Sequence, residues 1–294
     1  MTDARKEAIG ASSIRYFGAH VSTSGGFENA IKNAIELGVN TIQVHPSPPQ
    51  RWNTTAYPPD YEREFLSLRS KSGVERVFFH GIYLINLATT DPALRQRSHT
   101  SLVHYLDLSA RIGGDGVIFH VGSMKDWTSE REGFAQVASV IDGILAESDP
   151  ASRLILEVAA GAGSIIGDRL EELAEIYSLV EDKDRVGFAL DSQHLWASGY
   201  DLKSDLESVV DAVRSQLSFE KVWAIHLNDS MTALASRRDR HENIGDGLIG
   251  KDALRELFCH PAFREIPFIL ETPGLREMST AKLEIAKLRD WCAG

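Results

Sequence analysis

Six short apolar runs in this chain each end on a side chain that binds metal well, and their spacing leaves little choice of architecture. The runs are Val77-Phe78-Phe79 into His80, Val117-Ile118-Phe119 into His120, Leu154-Ile155-Leu156 into Glu157, Phe188-Ala189-Leu190 into Asp191, Val222-Trp223-Ala224-Ile225 into His226, and Phe268-Ile269-Leu270 into Glu271. Successive termini lie roughly 34 to 45 residues apart, room for one strand, one helix and two loops. In a closed β/α barrel every strand opens at its C-terminal end onto one face, so residues distant in sequence converge on one pocket. Three imidazoles and three carboxylates gathered there would repel one another unless cations filled the pocket. The pattern therefore predicts a metal centre with more than one ion.

The remaining segments complete the alternation. Tyr16 to Val21 and Val39 to Val44 read as the first two strands, and helical periods recur between strands up to a last helix from about Leu275 to Trp291. Eight strand–helix pairs predict an α/β fold, a TIM (β/α)8 barrel with its metal site at the C-terminal face of the strands. An open doubly wound sheet is the alternative. It would usually carry a glycine-rich phosphate loop after the first strand, where this chain has only Gly25-Gly26. The 294 residues suit a flexible tail over 1–14 and one barrel domain over 15–294. Two connections depart from the short-loop norm: a proline-stiffened loop over Pro46 to Trp52, and Leu227 to Gly250, which lacks an apolar period and reads as structureless. The second holds Asp239 and His241 at a chelating spacing, and its Arg237, Arg238 and Arg240 suit an anion such as phosphate.

A net charge of −11 weighs mildly against a nucleic-acid partner. Divalent ions would neutralise the site carboxylates, however, and a local basic patch can coexist with an acidic total. There is no apolar run of about 18 residues, so no membrane partner is expected, and the opening MTDARKEAIGAS lacks a signal-peptide core. Cys259 and Cys292 fall outside any zinc-ligand spacing, which points to a reducing, cytoplasmic compartment and to nitrogen and oxygen metal ligands. Each candidate alone has a plainer reading. A strand-end histidine is more often a hydrogen-bonded structural residue, Glu271 can cap the turn after it, Glu157 can pair with an arginine, and Asp191 with His194 can bridge a turn. Their common position at strand ends outweighs these readings. His45 also ends a strand, but Pro46 follows and no partner is evident, so it reads as loop structure. His20 reads as a neighbour of the ligands, and His99, His104 and His260 as surface residues. The run Tyr83 to Leu87 either packs under a loop or forms a wedge for a base stack. Nine candidate ligands (His80, His120, Glu157, Asp191, His194, His226, Asp239, His241 and Glu271) are too many for one ion. They suit three zincs sharing a carboxylate, chemistry fitted to phosphoester hydrolysis.

Several stretches carry a family likeness: Gly18-Ala19-His20-Val21-Ser22, His80-x-x-Tyr83-Leu84-Ile85-Asn86-Leu87, Phe119-His120-x-Gly122-Ser123, Asp191-x-x-His194, His226-Leu227-Asn228-Asp229, Ser236-Arg237-x-Asp239-Arg240-His241 and Leu270-Glu271-Thr272. In this ordered combination, over about residues 16 to 290, the chain resembles the endonuclease IV (deoxyribonuclease IV) family of apurinic/apyrimidinic endonucleases. The resemblance implies one zinc on Glu157, Asp191, His226 and Glu271, a second on His80, His120 and a shared Glu157, and a third on His194, Asp239 and His241, with manganese able to take part of the site. It implies Glu157 and Glu271 as catalytic residues of a monomeric enzyme. That enzyme would cut double-stranded DNA 5′ to an abasic site, leaving a 3′-hydroxyl and a 5′-deoxyribose phosphate, and would also act on damaged 3′ ends. Tyr83 and Leu84, with Arg51 in the proline-rich loop, match residues that probe the duplex and expose the lesion. The chain departs from the family at Val158-Ala159-Ala160-Gly161-Ala162, where an Asn-Thr pair and a Gln are common, at Ser192-Gln193 in place of Thr-Cys, at Met231 in place of a lysine, and at the less polar Gly81-Ile82. These departures bear on affinity, lesion preference and rate rather than on metal binding. Two other readings remain. A single-metal sugar isomerase or epimerase with a similar barrel would need only Glu157, Asp191, His226 and Glu271, and a non-catalytic DNA-binding protein would have kept the site's shape alone.

Overall fold

The structure, a computed structural model, describes residues 15–48, 50–52 and 57–293. The expected tail over 1–14 lies outside the described residues, as does Pro49 of the proline-rich loop. The barrel strands are β1 (Phe17–His20), β2 (Thr41–Val44), β3 (Arg76–His80), β4 (Gly116–Phe119), β5 (Leu154–Glu157), β6 (Val186–Asp191) and β7 (Val222–His226). A small hairpin of β8 (Asp229–Ser230) and β9 (His241–Glu242) follows, and then the last barrel strand, β10 (Phe268–Leu270). All barrel pairings are parallel, and β1 pairs with both β2 and β10, which closes the ring. The helices are α1 (Asn29–Leu37), α2 (Arg63–Arg69), α3 (Pro92–Arg111), α4 (Glu130–Glu147), α5 (Leu170–Leu179), α6 (Ser192–Ser198), α7 (Leu206–Gln216), α8 (Lys251–Cys259) and α9 (Met278–Ala293). The expected (β/α)8 barrel is what forms. Among the described residues, no helix is long and apolar enough to cross a membrane.

Local chemistry sets the element ends. The Asp91 carboxylate accepts hydrogen bonds from the Ala93 and Leu94 amides, and Pro92 opens α3 with its φ already helical. At the end of α1, Gly38 turns left-handed at φ 68 and donates its N–H to the Ala34 and Ile35 carbonyls. Gly18 answers to a different constraint: a Cβ there would lie 1.6 Å from the Thr41 carbonyl oxygen, so only glycine lets β1 close against β2.

Strand alternation decides where the chemistry goes. Val77, Phe79, Val117, Phe119, Leu154 and Leu156 are buried in the large cluster that packs the strands against the helices, each contributing roughly 1.5–3 kcal/mol by leaving water. The residues between them, Phe78, Ile118, Ile155, Ala189, Ala224 and Ile269, form a separate cluster inside the barrel. Each of these six stands two positions before a ligand candidate. Successive strand side chains point to opposite faces, so the residue two further on faces inward again, at the open end. The pattern that packs the barrel floor therefore aims His80, His120, Glu157, Asp191, His226 and Glu271 into one mouth.

One local expectation needs correction, and one plainer alternative falls away. Leu227 to Gly250 is not structureless: β8 and β9 pair antiparallel inside it, with Ser230 opposite His241. Asp191 and His194 do not simply bridge a turn, because the Asp191 carboxylate caps α6 by accepting from the His194 backbone amide at 2.9 Å.

Candidate metal centre

Eight of the nine candidate ligands come together in three linked groups, and the ninth, Asp239, stands beside one of them. Ligand atoms of His80, His120 and Glu157 lie within 4.8 Å of one another, as do those of Asp191, His194 and His241, and those of Glu157, Asp191, His226 and Glu271. Glu157, completely buried, divides its carboxylate between two groups. Its Oε2 is 3.0 Å from His80 Nε2 and 3.4 Å from His120 Nε2, while its Oε1 is 2.7 Å from His226 Nδ1. His226 Nδ1 also faces Glu271 Oε2 at 3.3 Å and Asp191 Oδ2 at 3.8 Å. Asp239 stands against the third group, its carboxylate 3.5 Å from His194 Nε2 and 3.3 Å from His241 Nε2. Asp191 Oδ2 reaches His241 Nε2 at 3.7 Å, so this carboxylate borders a second group as Glu157 does.

The imidazoles are held as ligands usually are, with one ring nitrogen turned to the carboxylates and the other occupied elsewhere. His80 Nδ1 lies 2.8 Å from the Gly81 carbonyl, His194 Nδ1 2.9 Å from the Val158 carbonyl, and His226 Nε2 2.7 Å from Gln43 Oε1. With a cation bound, those acceptors would keep the proton on the outer nitrogen and turn the inner lone pair to the ion. His120 is the exception, since its Nδ1 is buried without a hydrogen-bond partner. This donor set, hard oxygens and imidazoles with fixed tautomers in three adjoining groups, fits zinc-type ions.

The electrostatics agree. Burial alone would raise the Glu157 pKa, but His120 and His226 outweigh it and hold the carboxyl well below its usual range. Burial likewise opposes ionisation of Asp239, whose pKa is nevertheless lowered to about 2, chiefly by His194. Burial works against charge on His226 too, yet Glu271 and then Glu157 raise its pKa to about 9. Both signs of charge are thus stabilised in a largely buried pocket, an arrangement that cations can replace.

Three residues stand beside the centre, and two of them, Gln43 and His45, take roles that the sequence alone did not give them. Gln43, completely buried, accepts from His226 and donates Nε2 to Glu271 Oε1 at 2.5 Å. Strand alternation could have found it, two residues after inward-facing Thr41. His20 Nδ1 lies 3.6 Å from Glu271 Oε1, in keeping with its reading as a neighbour of the ligands. His45 is more than loop structure. Its ring centroid is 4.4 Å from that of His20, its Nδ1 lies 3.1 Å from the His80 carbonyl, and burial followed by repulsion from His20 and His80 lowers its pKa to about 3. Gln43→Leu, which removes both hydrogen bonds to the ligands, is expected to weaken metal binding by roughly 10–100-fold with the fold intact. Competition against a chromogenic chelator measures this, and unchanged affinity would remove Gln43 from the centre.

Cavities open on this face, two of them lined by histidines of the centre. The larger, about 1000 Å³, is lined by His20, His45, Asp239, Arg240, His241 and Glu271 among others. The smaller, about 540 Å³, is walled by Trp52, Ile82, Leu84, Ala159, Ala160 and Ala162 and reaches His120 and His194. Tyr83 lines both and is 69% exposed, while Leu84 is 39% exposed, so an aromatic and an aliphatic side chain stand free on the rim. Arg51 is exposed, and its neighbour Trp52 takes the place in the cavity wall. Arg237 is not free for an anion: its Nη2 pairs with Asp168 at 2.5 Å and its Nε donates to the Gly161 carbonyl.

A closed parallel barrel with three adjoining His, Asp and Glu groups at its strand ends defines a metal-binding barrel enzyme. The family described as xylose isomerase-like TIM barrel matches residues 31–292. A Clostridium botulinum (strain Alaska E43 / Type E3) protein named probable endonuclease 4 is 34% identical over 270 residues, 92% of this chain and 97% of its own length. The crystal structure of endonuclease IV from Thermus thermophilus superposes with a TM-score of 0.84 at 31% identity, covering 95% of this chain and 98% of that one. A D-tagatose 3-epimerase-like protein superposes at 0.72 with 15% identity over 94% of this chain and 97% of its own, a likeness of fold alone. The chain belongs to the endonuclease IV family, nucleases of the hydrolase class within the xylose isomerase-like barrels.

Proposed function

We propose that this protein is an apurinic/apyrimidinic endonuclease of DNA repair that holds three zinc ions and hydrolyses the phosphodiester 5′ to an abasic site in double-stranded DNA. The observation that carries the reading is the sharing of Glu157 between two donor groups, with Asp191 bordering the third. A single-ion sugar epimerase accounts for Glu157, Asp191, His226 and Glu271 but gives no common role to His80, His120, His194, Asp239 and His241.

On this reading His80, His120 and Glu157 hold one ion, Glu157, Asp191, His226 and Glu271 a second, and His194, Asp239 and His241 the third, with Asp191 at its edge. When bound, such ions act as Lewis acids on a phosphoryl oxygen, lower the pKa of water and stabilise a leaving alkoxide. The chain supplies the rest. Glu157 fixes the spacing of two donor groups, and Gln43 orients His226 and Glu271. Tyr83 and Leu84 enter the duplex from the rim. The alanine wall of the smaller cavity is apolar beside His120 and His194 and offers no side-chain hydrogen bonds of its own. We further infer that residues 15–294 act as one monomeric catalytic domain in the cytoplasm, that Arg51 contacts the duplex, and that damaged 3′ ends are a second substrate.

The test pairs two measurements on the purified protein. Elemental analysis is expected to give about three zinc ions per chain, and a duplex carrying one abasic analogue is expected to be cut on its 5′ side. About one ion per chain, with no incision of the duplex, would favour the epimerase reading instead.

A further inference from the structure

Asp229 is an acidic residue without a cationic partner. Its side chain is completely buried, and among the described residues no lysine, arginine or histidine is paired with it. Five backbone amides serve instead. Oδ1 accepts from Ser230 at 2.8 Å, Ile249 at 3.0 Å and Gly250 at 3.2 Å, and Oδ2 accepts from Gly245 at 3.0 Å and Gly247 at 3.1 Å. Converging N–H dipoles stabilise a buried carboxylate as a cation would, and charge-assisted bonds of this kind are stronger than neutral ones. Gly247 is fitted to the anion: a Cβ there would lie 2.5 Å from Asp229 Oδ1 and from the Ser230 carbonyl oxygen.

These bonds tie the start of the β7–α8 connection to its end. Between the tied points runs the segment that carries Asp239 and His241. Asp229 pairs with Glu242 and Ser230 with His241 across the hairpin, and the Met231 amide continues the ladder to the Arg240 carbonyl at 3.0 Å. Fixing residues 229–231 therefore fixes where His241 enters the centre and where Asp239, two residues earlier, stands. The ligands of the other two groups lie at the ends of barrel strands, and the connection meets two of them through Asn228 at its very start, which donates Nδ2 to Asp191 Oδ2 at 2.7 Å and accepts from the Glu271 amide at 2.9 Å. Asp191 and His194 are placed by β6 and the start of α6, with the connection packed against that helix through Gln193 Nε2, which donates to the Arg238 carbonyl at 2.9 Å.

We propose that Asp229 is the positioning residue of the third donor group, its carboxylate organising the connection so that Asp239 and His241 meet His194. Asp229 need not touch metal or substrate to do this, and the proposal rests on the three-ion reading above. Asp229→Asn keeps the shape, removes the charge and turns an amide NH2 toward backbone donors. Zinc titration against a chelator, with metal counted by native mass spectrometry, reads the effect. The wild-type protein should take up three ions. Asp229→Asn should keep two at wild-type affinity and bind the third roughly 10–100-fold more weakly, matching His241→Ala, which removes a third-group ligand outright. If Asp229→Asn does not fold, Asp229→Glu decides by the same readout, since it keeps the charge but moves the carboxylate out of the amide cradle. Three ions at wild-type affinity in a folded variant, or equal weakening of all three, would overturn the proposal. Fewer than three ions in the wild type would instead overturn the three-ion reading itself.

Discussion

Glu157→Gln is expected to lower kcat for incision of an abasic duplex by about a thousandfold or more, with DNA binding changed little. Changing a partner that merely orients a ligand costs roughly 10–100-fold. Glu157 stands closer to the chemistry than such a partner. Its two oxygens face His80 and His120 on one side and His226 on the other, so one substitution withdraws an anionic donor from two groups at once. Glutamine matches the volume but carries an amide that cannot hold two cations. Lost transition-state charge stabilisation appears in kcat, whereas loss of uniform binding would appear in KM. Glu157 is completely buried, so the exposed rim where Tyr83 and Leu84 stand is unchanged. Single-turnover incision and duplex-binding titrations, with circular dichroism to confirm the fold, separate these effects. A variant that keeps kcat within tenfold of wild type would remove Glu157 from the centre.

What could be read from the sequence, and what could not, follows from how each residue is held. Six ligand candidates were legible because they share one geometric rule, a strand end two positions beyond an inward-facing residue. The same rule reaches Gln43, which escaped notice because an amide is not a metal ligand and acts only through His226 and Glu271. His45 escaped for a different reason. Its partners, His20 and the His80 carbonyl, sit on neighbouring strands, and sequence spacing says nothing about which rings meet across a barrel. The Leu227 to Gly250 connection looked structureless because its order comes from backbone amides converging on one carboxylate, which leaves no hydrophobic period to read. Arg237 looked available for phosphate because its sequence neighbours are ligands, yet Asp168, from the connection before α5, claims it.

Stripping the metal is expected to lower Tm by an amount that grows as pH rises from about 6.5 to about 9. Ions bound at a thousand times their dissociation constant stabilise a folded chain by about 4 kcal/mol each, so removal is costly at any pH in this range. The pH dependence comes from what takes the ions' place. Without metal, protons must balance Glu157, Asp191 and Glu271, and His226 is the clearest carrier, its pKa raised from 6.5 to about 9 because Glu271 and Glu157 outweigh the penalty of burial. A histidine whose folded pKa exceeds its unfolded one stabilises the fold fully below the unfolded value and loses that contribution as pH climbs through the folded value. For His226 the loss is on the order of 3 kcal/mol across the window, about 5–10 °C in a domain of this size. The carboxylates do not offset it. Asp239, lowered to about 2, and Glu157 and Glu271, held well below their usual range, contribute fully above the ordinary carboxylate pKa and lose that contribution only in acid. With metal bound, the imidazoles are already deprotonated, so the Tm of the loaded protein should stay nearly level over the same window. Differential scanning calorimetry of loaded and chelator-treated protein at pH 6.5, 7.5 and 9, with free zinc held constant by a metal buffer, measures the gap. A gap that stays constant or narrows toward pH 9 would mean that protons do not stand in for cations at His226.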